Sequence, residues 1–492
     1  MKFAYSNRSP KQDWSWEKLS PDTLPPLPPP AEVIEADVAV VGGGIAGLAV
    51  GTRCAELGLS VVVLEKGAEP YAGGKYIGVV PEGTDKKIFA KRWLRATGSR
   101  VSEPLLWRYI DRSAAALDWL VSLSEGKAAA VKNENIFINP ETGAIPGDYF
   151  LRSTDGNPAE GGALAVQILE NALVRFGGKY CKETSCLSVR RGEDGRINTI
   201  LAMGGGKILH YIGKKAVILA TGDCGGDEEM LSACSPLSLR AAKTLSPNTG
   251  DGQRMAYWAG AELDGRYWAP HFGCGAYAPY SFFFTSVNRD GKRFMNEDTH
   301  EVAKARHCIN QRDGEFAFTI CDDKWFDELN AARGIAGGPT IMPDAGLTRA
   351  DIEAECGENI FCADTLDELA AKIGVPADAL KATAARVNEL AAKGEDVDYG
   401  KRPELLTTIE KAPFYAFKWG NELIATLGGA VVDEDMRVLD PDDWPIPGLY
   451  AVGACAGGFF AVGYPSILAG SDLGSAITFS KMAAESIQKL EN

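Results

Sequence analysis

Three glycines and an acid carry the first chemical signal in this chain. Gly42, Gly44 and Gly47 stand as G-x-G-x-x-G after the apolar run DVAVV, and Glu65 closes a second apolar run, SVVVLEK. The segment between the two runs has helical spacing, so the local reading is strand, helix, strand. In that setting Gly42 allows the tight turn, Gly44 lets a pyrophosphate approach the backbone, and Gly47 lets helix and strand pack closely. Glu65 accepts hydrogen bonds from ribose hydroxyls. Ile45 and Ala46 in the turn, and Lys66 beside the acid, join the candidate contacts. The pattern predicts a bound dinucleotide.

Two distant segments narrow the dinucleotide to FAD. Residues 216–222, AVILATG, and residues 448–458, GLYAVGACAGG, each read as an apolar strand ending in a small-residue turn. They resemble the distal segments that complete the FAD-binding fold in flavoproteins of the glutathione-reductase and succinate-dehydrogenase type. Ala220, Thr221, Gly222, Gly453 and Ala454 become candidate cofactor contacts, although Ala454 stands where many such proteins carry an acid. The last helix opens near Gly470 and Ser471, with Leu473 following. Its free N–H groups and positive dipole end are expected to face the flavin pyrimidine ring.

From about residue 35 to 487 the chain resembles the flavoprotein family of soluble fumarate reductases and 3-ketosteroid dehydrogenases. The carriers are GGGIAGLAV, AVILATGDCGGDEEML, TGDGQRMAYWAGAEL with Asp251, DGKRFMNE, APFYAF, TLGGAVVDEDMRVLD and PIPGLYAVGACAGG. The resemblance implies an α/β protein: a Rossmann-like FAD-binding domain interrupted by an inserted α+β capping domain, with substrate held between them. It also implies hydride transfer between flavin N5 and a saturated or unsaturated carbon pair. Gly73 and Gly74 lie in the segment Tyr71 to Val80, where membrane-complex relatives attach FAD through a histidine. No histidine occurs there, so non-covalent FAD is expected.

The same resemblance locates candidate catalytic residues. Tyr464 and Pro465 match a Tyr-Pro pair of the ketosteroid dehydrogenases. The Tyr464 hydroxyl, with a backbone N–H, would polarise a substrate carbonyl and stabilise the enolate formed as hydride moves. The fourth residue after the RFxNE glutamate is an arginine in fumarate reductases and a tyrosine in ketosteroid dehydrogenases; here it is Glu301, preceded by His300. Either can move a proton once burial adjusts it. His271 falls roughly where the fumarate enzymes place a substrate-binding histidine. Tyr267, Tyr277, Tyr280 and Phe282 to Phe284 suggest an aromatic cleft wall, though most are expected in the core. No arginine follows Arg437, so a dicarboxylate would lack its usual compensation there.

The elements that must position these residues divide the chain into four stretches. Residues 1–32 form an arm with a proline-rich linker, since PDTLPPLPPP must be extended; Trp14 and Trp16 would anchor it. Residues 33–262 form the first part of the FAD-binding domain, 263–412 the capping domain, and 413–492 the second part. The 492 residues carry a formal net charge of −15 without a dense basic cluster, which argues against nucleic-acid partners. Residues 1–20 lack an apolar core segment, so a cytoplasmic protein is expected. The eleven cysteines show no C-x-x-C spacing, and no metal site is expected. The uncharged stretch from Trp444 to Ser471 is broken by prolines and glycines and reads as a buried site, not a membrane span.

The leading expectation is an FAD-dependent oxidoreductase acting on a CH–CH or C=C bond beside a carbonyl in a bulky apolar ring compound, such as a steroid-like or isoflavonoid-like enone. Rivals are an unsaturated-carboxylate reductase using Arg152, Arg254 or Arg266, and a flavin electron-transfer subunit of a larger complex. The electron donor or acceptor is left open.

Overall fold

The computed structural model describes residues 14–70, 73–132, 147–265, 267–278, 280–332, 335, 348–465 and 467–490. Strand β1 (Glu32–Val41) leads through the glycine turn into helix α1 (Ile45–Glu56), then β2 (Val61–Leu64). Val38 to Val41 and all of β2 are buried, as expected of parallel strands covered on both faces. β3 (Lys179–Cys181) and β4 (Lys207–Leu219) extend this sheet, pairing parallel with β2 and β1 respectively. A hairpin of Thr184–Arg191 and Ile197–Gly204 attaches to β4.

The chain then builds a second sheet. β5 (Ala269–Tyr277), helix α2 (Glu301–Ile309), β6 (Phe316–Cys321) and the long β7 (Phe414–Leu427) belong to it, and β5 and β6 both run antiparallel to β7. The sequence reading ended the inserted unit at residue 412. That boundary needs correction, since β7 is the strand to which most of the second sheet is paired. An apolar run such as FYAF suits a strand of either sheet, and only the pairing decides.

β8 (Pro445–Ala451) returns to the first sheet beside β4, and helix α3 (Ser471–Gln488) packs on α1. The parallel strands of the first sheet therefore read β8, β4, β1, β2, β3 in space. Its strand ends converge: Gly42 N–H donates to Leu64 O, Ala220 N–H to Val41 O and Val452 N–H to Leu219 O. In open α/β sheets ligands bind outside such carboxyl ends.

The N-terminal arm lies on the body. Trp16 is 5% exposed, meets Tyr257 edge to face at 5.1 Å, and its carbonyl accepts from Trp258 Nε1 (2.8 Å). Phe282, Phe283 and Phe284 are buried beneath the second sheet, the first and last of them against Trp325, Phe417 or each other. Tyr280 stacks on Phe282, and Tyr277 bonds Glu315. These aromatics are core or edge residues, whereas Tyr267 is solvent-exposed. Among the described residues no helix is long and apolar enough to cross a membrane.

Candidate active site

A cleft of about 550 Å³ opens at the converging strand ends. Gly42, Gly44, Ile45, Ala46, Glu65, Lys66, Gly73, Gly74, Ala220, Thr221, Gly222, Asp251, Gly453, Ala454 and Leu473 all line it. Gly42 has φ +103°, and a Cβ there would lie 2.4 Å from Ala220 O. Gly47 does not line the cleft; a Cβ on it would come 1.8 Å from Gly42 O, so its task is the close approach of helix to strand. Glu65 is held from both sides: Gly43 N–H donates to Oε2 (2.9 Å) and Gly67 N–H to Oε1 (2.8 Å). Each oxygen keeps a lone pair for a ribose hydroxyl. Lys66 reaches Asp251 at 3.0 Å and Thr249 at 3.1 Å, which ties the turn after β2 to the helix opening at Asp251.

The start of α3 departs from expectation. Gly470 is left-handed (φ +70°), its Cα side facing Tyr76 O, and neither it nor Ser471 lines the cleft. Ser471 N–H is not free, because it donates to the Tyr464 hydroxyl oxygen (2.9 Å). Leu473 N–H donates to Asp472 Oδ1 (2.9 Å). A carboxylate, Asp472, thus lines the cleft where an unpaired positive helix end was expected.

Asp472 also joins the candidate catalytic residues. His271 on β5 lies flat on Tyr464, with ring centroids 3.7 Å apart and planes 2° from parallel. Its Nδ1 is 3.4 Å from Asp472 Oδ2. His300 caps α2, accepting from Val302 N–H at Nδ1 (3.3 Å), and Glu301 is the first residue of that helix. Desolvation, then the charges of His271 and Lys304, push His300 down to about 4, so it is neutral near pH 7. Desolvation raises Glu301 above the ordinary carboxyl value, against the opposing pull of His271 and Lys304. Burial raises the Tyr464 phenol well above its ordinary value, and Asp472 adds to that. The other three residues singled out from sequence, Tyr464, His300 and Glu301, therefore gather around His271. Tyr464 arrives as a neutral phenol whose oxygen already accepts one N–H, leaving its O–H to donate.

Sequence reasoning missed several members. Cys186 and Leu187 line the cleft from the hairpin beside β4, Met255 from the helix at Asp251, and Ala425 and Leu427 from β7. Phe460 lines the cleft and is stacked at 6.0 Å on Tyr464. Asp472 was legible only as the acid that directly follows the uncharged stretch from Trp444 to Ser471. Arg306, which the sequence did not single out, is half-buried, donates to Val462 O (2.8 Å) and packs against Gly463 in the loop before Tyr464. Of the arginines proposed for a carboxylate clamp, Arg254 is engaged by Asp227 (2.6 Å), Arg152 faces Glu160 on the surface, and Arg266 lies outside the described residues.

The chain matches the FAD binding domain family over residues 37–466. It belongs to that family. Among curated proteins, the vinyl phenol reductase of Lactiplantibacillus plantarum is 27% identical over 484 residues, covering 89% of this chain and 94% of that protein. The 4-oxocyclohexanecarboxylate 2-dehydrogenase of Sinomonas cyclohexanicum is 32% identical over 384 residues, 68% of this chain and 62% of its own. Among solved structures, the 3-ketosteroid-Δ4-(5α)-dehydrogenase of Rhodococcus jostii superposes with a TM-score of 0.74 at 24% identity. That match covers 96% of this chain and 99% of the other, and shows the shared fold. This FAD binding domain protein is an FAD-dependent oxidoreductase acting on CH–CH or C=C bonds. The glycine cradle, the tethered Glu65 and the cleft they line fit FAD.

Proposed function

We propose that the protein exchanges hydride with the carbon–carbon bond beside a carbonyl in a bulky, mostly apolar ring substrate, a cyclic enone or its saturated partner. Bound FAD supplies the hydride donor or acceptor at N5. The observation that carries this reading is the Tyr464 hydroxyl, fixed by Ser471 N–H and stacked on His271, whose partner Asp472 lines the cleft. Its free O–H donates to the carbonyl oxygen, where negative charge grows as hydride arrives at the β carbon. Glu301, with His300 beside it, handles the α proton. The raised carboxyl of Glu301 keeps a larger share of the group protonated, which suits a donor in the reducing direction. The relatives named for a vinyl phenol and an oxocyclohexane carboxylate support a ring substrate with an oxygen function.

Gly42, Gly44, Ile45 and Ala46 would hold the pyrophosphate, Glu65 the adenosine ribose, and Gly73, Gly74, Gly453, Ala454 and Leu473 the remainder of a non-covalent FAD. Reduction is the favoured direction, and a cytoplasmic setting fits free thiols. Anaerobic screening of dithionite-reduced enzyme against cyclic enones, steroids, isoflavonoids and unsaturated acids tests the reading. Re-oxidation of the flavin by enones supports it; turnover of fumarate or acrylate alone overturns it. Inactivity of the isolated protein toward every acceptor would point to an electron-transfer subunit.

A second reading, a substrate that also bears a carboxylate, is favoured by Arg306. Its half-buried guanidinium donates to a backbone carbonyl of the loop that carries Tyr464. Desolvation lowers it, as expected for a cation held out of water.

A further inference from the structure

We propose that Asp472 is the positioning residue of the substrate side, gripping the Nδ1 edge of His271 so that the imidazole presents its opposite edge to the reacting molecule. The inference rests on the reading that Tyr464 and His271 flank the substrate. Stacking on Tyr464 fixes the plane of the His271 ring, with centroids 3.7 Å apart and planes 2° from parallel. Stacking alone leaves the ring free to turn within that plane. An edge contact removes this freedom, and Asp472 supplies it, with Oδ2 at 3.4 Å from Nδ1.

The carboxylate is itself held in place. Its Oδ1 accepts from Leu473 N–H (2.9 Å), so Oδ2 is the oxygen left to face the ring. His271 Nδ1 is buried and has no aligned hydrogen bond, which leaves attraction to Asp472 as the force orienting that edge. Burial alone would raise the Asp472 carboxyl; His271 outweighs it and holds the group below its ordinary value, ionised beside the ring. The other groups around His271 are His300, Glu301 and Lys304 from α2, Glu422 from β7 acting on Glu301, and Tyr464 from the loop before α3. Among the described residues Asp472 is the acid in ion-pair range of His271.

This pairing explains an acid at a place where the sequence predicts a bare positive helix end. An acid in a helix's first turn is favoured by the dipole. It also lines the FAD cleft.

The test uses the full-length, FAD-loaded protein without substrate and compares crystal structures of wild type, Asp472→Glu and Asp472→Ala. The expected result is a single His271 orientation with its Nδ1 edge on residue 472 in wild type and Asp472→Glu, and a ring turned within its plane or spread over several orientations in Asp472→Ala. The same single orientation in wild type and Asp472→Ala overturns the proposal. Because no substrate is present, this comparison stands or falls independently of the enone screen. On a substrate found by that screen, Asp472→Asn should lower kcat at least tenfold at nearly constant KM, with partial recovery in Asp472→Glu.

Discussion

The FAD cleft is built mainly from backbone, and the cluster around His271 is built from side chains. At Gly42, Gly47 and Gly222 the fold brings main chain or a neighbouring side chain to within 2.4 Å of where a Cβ would stand. Such positions admit only glycine, so they print themselves on the sequence at fixed spacing. Around His271, by contrast, the groups come from β5, α2, the loop before α3 and α3 itself, joined by a stack and a 3.4 Å imidazole–carboxylate contact. Each partner there could in principle be another residue type with the same job. A cradle for a constant ligand is therefore readable in one dimension, whereas a site for a variable substrate is readable only once the chain has folded.

The first prediction attacks the backbone side, where the largest effect is expected. Gly47→Val places a branched side chain into Gly42 O, 1.8 Å from the ideal Cβ position. The variant should purify without flavin absorbance, or not fold at all; full FAD content would show that the close approach of helix to strand is unnecessary.

That asymmetry explains what was legible. The parallel strands, the FAD family and the glycine-rich turns of the cleft follow from G-x-G-x-x-G, AVILATG and GLYAVGACAGG. The end of the second sheet did not follow, because Phe414–Leu427 is apolar enough for either sheet and its pairing is non-local. Neither did the capture of Ser471 N–H by Tyr464, seven residues earlier, nor the burial of Arg306 under Gly463. Both depend on how a loop folds over a helix end, and no period or motif encodes that.

On the side-chain side, Glu301→Gln should remove proton exchange at the substrate α carbon and lower turnover by about 10²-fold, within the usual range for a lost general acid or base. Glu301 is raised by burial, and a donor must be protonated, so wild-type reduction should fall as pH rises through its titration. That limb should vanish in Glu301→Gln, as seen in pH profiles of kcat. His300, at about 4, should contribute no limb above pH 5.

A smaller and more selective effect is expected from Arg306→Ala. KM should rise about tenfold for ring substrates bearing a carboxylate and stay level for neutral enones; equal KM changes for both would remove Arg306 from recognition. Far from either region, Trp16→Ala empties a buried site on the arm and should lower stability by about 3 kcal/mol. Its kcat should be unchanged, which thermal unfolding and steady-state assays together would check.

The most direct measurement is anaerobic stopped-flow re-oxidation of the reduced flavin by a cyclic enone, comparing wild type with Tyr464→Phe at matched FAD content. Removing the hydroxyl removes the O–H aimed at the developing oxyanion, and loss of one such donor costs about 10²- to 10³-fold. The account predicts a fall of that size with FAD still bound. An unchanged rate would contradict it.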